Sequence, residues 1–160
     1  MPEWKLLDRE ALPRRQPPEC FICELIQGSN PHEVFYEDER SIAFFPRFPA
    51  LYGYVLVAPR EHLEQVTGDF SVEQFLDFQR VVHRISEALR AVVQPERLYI
   101  LSLGSQQGNA HVHWHIAPLP PGVPFELQQF HALNADGYFQ LSDTETAELS
   151  QELRARLLPE

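Results

Sequence analysis

The sequence predicts an α+β domain: an antiparallel sheet of about five strands carries one long helix on one face, with a helical extension at the C-terminus. Short strand-like runs near residues 34–37, 41–45 and 53–58, bounded by turn residues, indicate an antiparallel meander. Apolar residues then recur every three or four positions between residues 71 and 93, which is typical of an amphipathic helix packed on a sheet.

The length, composition and net charge of the chain limit the class of protein. The chain has 160 residues, the size of one ordinary domain, and its 44% hydrophobic and 22% charged residues are typical of a globular protein. The formal charge of −10 argues against a broad contact with a nucleic-acid polymer, which needs clustered lysine and arginine. Since no run resembles a signal peptide or a membrane-spanning helix, we expect a cytoplasmic protein without membrane contacts.

The first half of the chain carries several signals for breaks, helix starts and helix ends. Residues 1–19 form a charged arm interrupted by prolines, which we expect to be extended, with a short helical piece around residues 4–12 as a further option. Residues 20–28 resemble a knuckle that runs into a short helix ended by Gly28. Ser71 and Gln74 occupy the positions of a capping box, which marks the start of the long helix.

The second half supplies two more strands and a final helix. Residues 98–103 are almost continuously apolar, which favours a central strand. The tail from residue 120 to residue 138 is rich in loop formers, and residues 143–157 are predicted to form a helix that Ser142 begins. His83 falls beside the apolar stripe of the long helix and is expected to be structural.

Three histidines alternate with apolar residues just before a proline-rich stop. In a strand, residues two apart share a face, so His111, His113 and His115 are expected on one face and the intervening apolar residues, Trp114 among them, in the core. Such a row can bind a metal, carry a proton or attack phosphorus. The alternative without a functional role is a polar strand face that happens to hold histidine.

Cys20 and Cys23 are the only cysteines and are separated by two residues. In a reducing compartment this spacing indicates metal binding or redox chemistry rather than a structural disulfide. Two thiolates supply half of a tetrahedral zinc site, and the other half must come from elsewhere in the chain. A pair of free thiols remains the alternative.

The run from residue 111 to residue 117 matches at every position the motif of the histidine triad (HIT) nucleotide hydrolases and transferases, in which histidine alternates with apolar residues. The cysteine pair, the two strands before residue 60 and the histidine at position 62 agree in order and approximate spacing. The sequence therefore resembles the HIT family over residues 20–120, which implies a HIT-like fold and divides the chain into an arm (1–19), a HIT domain (20–120) and a C-terminal extension packed on it (121–160).

The resemblance implies roles for several residues. His113 corresponds to the nucleophile that attacks the α-phosphorus of a nucleotide and forms a nucleotidyl-histidine intermediate, and His115 is placed to contact the phosphate or assist proton transfer. Some members of the superfamily, including galactose-1-phosphate uridylyltransferases, hold a zinc at positions that map to Cys20, Cys23, His62 and His111. Such a closed sphere implies a structural zinc.

The loop before the triad and a divergent segment complete the candidate site. Residues 104–109 offer backbone N–H groups, the Ser105 hydroxyl and the amides of Gln106, Gln107 and Asn109 to a phosphate, with a flexible hairpin connection as the less favoured alternative. Where many HIT proteins carry Asp-φ-Asn-Pro and then Gly-His, with φ apolar, this chain has Pro46-Arg47-Phe48-Pro49 and then Gly53-Tyr54. Arg47 is a candidate phosphate contact and Phe48 a candidate base-stacking residue, with solvent exposure and simple packing as the alternatives.

The sequence therefore predicts a HIT-type nucleotide hydrolase or transferase that cleaves an α-phosphate linkage in dinucleoside polyphosphates, nucleoside phosphoramidates or related conjugates. The alternatives are a nucleotide-binding or sensing protein with little turnover, and a catalytic metal held by all three triad histidines. The resemblance also implies a homodimer formed through the long helix and an edge strand. Three polar residues that follow the triad are candidates to complete a site or are simply surface: Glu126, Gln129 and His131.

Overall fold

The computed structural model describes residues 2–12, 14, 16, 18–103, 109–133 and 136–158. The strands, in chain order, are β1 (Glu3–Leu6), β2 (Val34–Glu37), β3 (Ser41–Phe44), β4 (Val55–Pro59), β5 (Arg97–Leu101), β6 (Trp114–Leu119) and β7 (Gly137–Gln140). The helices are α1 (Phe21–Gln27), α2 (Val72–Val93), α3 (Gln128–Leu133), which a 3-10 turn (Phe125–Leu127) precedes, and α4 (Asp143–Leu157). None of the helices among these residues is both long and apolar enough to cross a membrane.

Five strands form one antiparallel sheet in the order β2-β3-β4-β6-β5, which confirms the predicted fold class. The prediction that residues 98–103 form a central strand is wrong. Strand β6 pairs with β4 through Val57 and Trp114, so β6 takes the interior position and β5 lies at the edge. The apolar run misled because an edge strand also packs one face on the core, as Leu98 does, while Ile100 is 48% exposed.

Helices α2 and α4 cover one face of the sheet. Phe78, Val82, Ile85 and Leu89 recur at helical spacing along α2 and are buried against that face. Trp114 lies beneath them, its ring centroid 4.7 Å from that of Phe78. Both long helices begin at capping boxes, as the sequence predicts.

Helices α1 and α3 lie over the opposite face. A second cluster there joins α1 to the outward side chains of β3 and β4, including Phe44 and Leu56. Strand β6 begins at Trp114 rather than at His111, but the alternation of the triad extends beyond the strand. Val112 is buried with Trp114 in the α2 core, and the backbone N–H of Val112 donates to the carbonyl of Leu63 at 2.7 Å.

The N-terminal arm forms a strand, so the helical option for residues 4–12 is wrong. Strand β1 pairs antiparallel with β7 in a separate two-stranded sheet. Trp4 packs edge-on against Phe139 with ring centroids 5.0 Å apart, and this contact favours an extended arm. The C-terminal segment is held in turn by α4, whose Ser150 hydroxyl donates to the carboxylate of Glu33 at 2.6 Å.

Candidate active site and metal cluster

His113 is buried with one ring nitrogen committed and the other open. Its Nδ1 lies 2.6 Å from the carbonyl oxygen of His111, so Nδ1 carries the proton and donates it to that oxygen. Its Nε2 is therefore unprotonated, and this buried atom has no hydrogen-bond partner among the described residues. Burial lowers the pKa of His113, so the imidazole stays neutral. A neutral imidazole with a free lone pair is the state that a nucleophile needs.

His115 lies beside His113, with ring centroids 4.7 Å apart, and carries the opposite tautomer. Its Nε2 is 3.3 Å from the carbonyl oxygen of Leu103, an acceptor, and its Nδ1 is 2.9 Å from the hydroxyl of Tyr54. The imidazole proton therefore resides on Nε2, and the hydroxyl of Tyr54 donates a hydrogen bond to Nδ1. Burial and the neighbouring His113 lower the pKa of His115 to about 4.

Four residues converge around the first histidine of the triad, His111. One ligating atom each of Cys20, Cys23, His62 and His111 lies within 4.8 Å of the others. The Sγ of Cys20 is 3.4 Å from Nδ1 of His111, and the Sγ of Cys23 is 3.6 Å from the same atom. The Sγ of Cys23 is also 3.3 Å from Nδ1 of His62. Bonds of about 2.3 Å to sulfur and about 2.0 Å to nitrogen in a tetrahedral zinc site separate the two atoms by about 3.5 Å.

The two imidazoles of this metal cluster are oriented as ligands. The Nε2 of His111 lies 2.8 Å from the carbonyl oxygen of Pro59, and the Nε2 of His62 lies 3.1 Å from the carboxylate of Glu64. Each Nε2 therefore donates to oxygen and each Nδ1 turns its lone pair toward the sulfurs, the pattern common around metal-bound histidine. The donor set and its spacing fit a closed Cys2His2 site for a tetrahedral ion such as zinc.

The three triad histidines do not converge on one point. His111 faces the two sulfurs, whereas His113 and His115 direct nitrogens at the His111 and Leu103 carbonyls and at Tyr54. This arrangement does not fit the alternative of a single ion bound by all three histidines.

The divergent segment after β3 lines a cavity of about 320 Å³ at the end of the sheet, close to the lower limit of small-molecule pockets. Arg47 is exposed on its rim, and Phe48 packs edge-on against Tyr138 with ring centroids 5.0 Å apart. Tyr54 lines the same cavity and contacts His115, which connects the cavity to the triad.

The remaining residues predicted to bind phosphate or to complete the site differ in their surroundings. Ser105, Gln106 and Gln107 lie outside the described residues. Asn109 is buried two residues before His111. The three polar candidates after the triad are exposed on the 3-10 turn and α3: Glu126, Gln129 and His131.

Sequence reasoning missed two aromatic side chains near the triad and gave no role to a third, Tyr54. Phe21, in the first turn of α1, lies 6.3 Å from His113 between ring centroids. His32 packs against Phe21 and Phe44 at 6.1 and 5.8 Å, in a segment without periodicity that offered no signal. Tyr54 was recognised as a departure from the family, but its contact with His115 depends on the register that pairs Leu56 with His115, which the sequence does not encode.

Comparison with known proteins identifies the same family that the triad motif resembles. The family model described as the HIT domain matches residues 27–121. The chain is 31% identical over 102 residues to Protein hit of Bacillus subtilis (strain 168), an alignment that covers 63% of this chain and 70% of that protein.

Solved structures share the fold. A hypothetical histidine triad nucleotide-binding protein from Sulfolobus tokodaii has a TM-score of 0.69 at 22% identity, covering 86% of this chain and 91% of that one. A Zn-bound histidine triad family protein from Mycobacterium smegmatis has a TM-score of 0.65 at 24% identity, covering 87% and 93%. With the family model matching more than half of its length, the chain belongs to the HIT domain family.

Proposed function

We propose that this protein is a nucleotidyl hydrolase or transferase that cleaves an α-phosphate linkage of a nucleotide conjugate through a covalent intermediate on His113. Membership of the HIT family supports nucleotide binding or nucleotide hydrolase/transferase activity in general. The proposal of a covalent intermediate depends on the environment of His113. The His111 carbonyl fixes a proton on Nδ1, and the lone pair of Nε2 has no partner among the described residues.

In the proposed reaction, the lone pair on Nε2 of His113 forms a bond to the α-phosphorus. The electron pair of the bond between phosphorus and the leaving group departs with the leaving group. The imidazole becomes cationic in the intermediate, and the Nδ1–H bond to the His111 carbonyl stabilises that charge. Water or another acceptor then attacks the phosphorus, the bond between phosphorus and Nε2 breaks with its electron pair returning to His113, and the proton of the acceptor passes to solvent, which restores neutral His113.

Phosphate binding is assigned to the loop before the triad and to the rim of the cavity. Ser105, Gln107 and Asn109 are proposed donors to phosphate oxygens, and Arg47 is a proposed charge contact. Phe48 packs against Tyr138, so its proposed role is to shape the cavity that receives the nucleoside or leaving group. Dinucleoside polyphosphates and nucleoside phosphoramidates are the proposed substrates.

The metal cluster is proposed to hold a structural zinc. Cys20, Cys23, His62 and His111 would supply four ligands and leave no open position for a substrate. The ion would join the start of α1 to the segment before β6, and so fix the carbonyl of His111 that orients His113. The similarity to a Zn-bound family protein from Mycobacterium smegmatis supports this assignment.

Intact-protein mass spectrometry tests the covalent step. The full protein is mixed briefly with a panel of dinucleoside polyphosphates and phosphoramidates and quenched at alkaline pH. We expect a nucleoside-monophosphate adduct on the native protein and on a His83→Ala control, because His83 is exposed on α2. We expect none on His113→Ala. Hydrolysis that persists in His113→Ala would reject the nucleophile assignment.

A binding or sensing protein with little turnover is the second candidate. It is favoured by the segment from Pro46 to Phe48, which lacks the family's acidic and amide side chains and lines the cavity beside Tyr54. Tight nucleotide binding by calorimetry, with neither adduct nor product across the panel, would select this candidate.

A homodimer is proposed through the long helix α2 and an edge strand, for which β5 is the candidate. An edge strand exposes unpaired backbone groups, and Ile100 on β5 and Leu103 just beyond it are about half exposed. Further exposed apolar side chains lie on the nearby turn and α3: Phe125, Leu127, Phe130 and Leu133. Sedimentation velocity should show a dimer that Ile100→Lys weakens and Val66→Lys, in a loop, leaves intact. A monomeric native protein would contradict the proposal.

A further inference from the structure

The geometry points to Tyr54 as a positioning residue that holds His115 in the tautomer with its proton on Nε2, so that His115 donates a hydrogen bond to a phosphate oxygen of the substrate. This inference rests on the proposed function. It begins from a side chain that stands where the family motif has histidine, so this chain uses a phenol at that position.

The backbone around Tyr54 holds the ring in place. The N–H of Tyr54 donates to the carbonyl of Leu51 at 3.1 Å immediately before β4 begins. The ring packs beside a small cluster of buried side chains that includes Leu51 and Ala117, on the face that carries the triad. It meets the ring of His115 edge-on, at 5.8 Å between centroids and 78° between planes.

The hydroxyl of Tyr54 and the carbonyl of Leu103 together determine which nitrogen of His115 carries the proton. Burial raises the pKa of Tyr54 well above its ordinary value, so the phenol keeps its proton at neutral pH. It donates a hydrogen bond to Nδ1 of His115 at 2.9 Å, and Nε2 faces the carbonyl of Leu103, so the imidazole proton lies on Nε2. Without the hydroxyl, Nδ1 would lose its donor and only the long contact with the Leu103 carbonyl would favour the proton on Nε2, so the opposite tautomer would become accessible.

The Nε2–H of His115 is weakly engaged and close to the nucleophile. Its contact with the carbonyl of Leu103 is long, at 3.3 Å, and the ring lies 4.7 Å from that of His113 between centroids. When His113 attacks phosphorus, an oxygen of the phosphate gains negative charge, and a preset N–H donor stabilises that charge. His115 keeps its proton throughout the step, and the leaving group takes its proton from solvent. The opposite tautomer would present a lone pair to the phosphate and repel it.

Two measurements on the full-length protein test the inference. The first is 15N NMR of histidine-labelled protein, which distinguishes protonated from unprotonated ring nitrogens. Native protein should show His115 with unprotonated Nδ1 and protonated Nε2, and Tyr54→Phe should show a shifted or averaged pattern. Tyr52 lies two residues away and is 40% exposed, so the loss of its hydroxyl in Tyr52→Phe should leave the pattern unchanged. An unchanged tautomer in Tyr54→Phe would overturn the inference.

The second measurement is the single-turnover rate of adduct formation, with a reactive phosphoramidate as the probe. Tyr54→Phe should lower the rate constant about tenfold, less than the loss of a whole donor, while substrate affinity stays within about twofold. Tyr52→Phe should match native protein. A loss confined to affinity would contradict the inference. If native protein forms no adduct, the proposed function fails, and the NMR experiment still decides whether Tyr54 sets the tautomer.

Discussion

The Sγ of Cys20 lies 3.4 Å from Nδ1 of His111, a residue that follows it by 91 positions in the chain. Cys20 caps the start of α1, and His111 precedes β6. A metal between them would therefore tie the helix over the triad to the segment that orients the nucleophile.

Removal of one ligand should release the metal and lower stability. His62 is the informative position, because it is the exposed member of the cluster and its truncation leaves no cavity. In His62→Ala we expect bound zinc, measured by mass spectrometry of metal content, to fall from one equivalent per chain to well below half. A loss of roughly 3 kcal/mol should lower the melting temperature by about 6–12 °C. His83→Ala is the control, and unchanged metal content in His62→Ala would rule out the proposed site.

His115 should make stability depend on pH. Its pKa is lowered to about 4 in the folded state by burial first and by His113 second, against about 6.5 when unfolded. The unfolded chain therefore binds more protons between these values, and stability should fall by up to about 3 kcal/mol as pH drops from 6.5 to 4. Urea unfolding of His115→Gln should show a shallower decline than native protein. His83→Gln should show the native slope, and identical slopes for all three proteins would contradict the assignment.

The two tryptophans should differ in their contribution to stability. Trp114 is 5% exposed beneath α2, and its replacement by alanine should cost about 3–5 kcal/mol through lost burial and a cavity. Trp4 is 46% exposed on the small sheet, so Trp4→Ala should cost about 1 kcal/mol. Urea unfolding followed by circular dichroism measures both, and equal costs would contradict the described burial.

Gly137 should be intolerant of any side chain. A Cβ there would collide with the carbonyl of Lys5 and the ring of Trp4. Gly137→Ala should therefore separate β1 from β7, seen as loss of hydrogen-exchange protection in β1 and a red shift of Trp4 fluorescence. Gly68→Ala, where a Cβ meets only the Gln65 side chain at 3.4 Å, should leave both signals unchanged. Retained protection of β1 in Gly137→Ala would show that the strands do not pair this way.

Arg47 should affect substrate binding more than chemistry, if the proposed function holds. The side chain is exposed on the cavity rim and would contact a phosphate by charge. Arg47→Ala should raise KM about tenfold, equivalent to about 1.4 kcal/mol, with kcat within about twofold. Arg156→Ala, in the last turn of α4, is the charge-matched control. A fall in kcat with unchanged KM would place Arg47 elsewhere in the mechanism.

Much of the fold was predictable because its signals are local. The capping boxes at Ser71 and Ser142 and the glycine at position 28 lie at helix ends in the structure, and Gly28 has the left-handed φ of 82° that ends α1. The position of β5 was not predictable, because burial of one face looks alike in a central strand and an edge strand. The order of strands depends on contacts distant in sequence, which a local pattern does not encode.

In the candidate site too, local features were predictable and contacts between distant segments were not. The alternation around His113 predicted which side chains share a face, and the structure shows Val112 and Trp114 buried on the other one. The carbonyl groups that fix the histidine tautomers carry no residue signature, so the role of the His111 and Leu103 backbones could not be read from the sequence. Phe21 reaches His113 only through the packing of α1, and His32 in turn packs against Phe21.

The pairing of β1 with β7 constrains the order of events during synthesis. Glu3 lies opposite Gln140, so β1 leaves the ribosome well before its partner and pairs only after the intervening residues have followed. The five-stranded sheet and α2 need only residues up to Leu119 and can assemble before then. Until β7 emerges, Trp4 and the backbone of β1 remain exposed to chaperones and proteases, and closure of the small sheet reports that translation of β7 is complete.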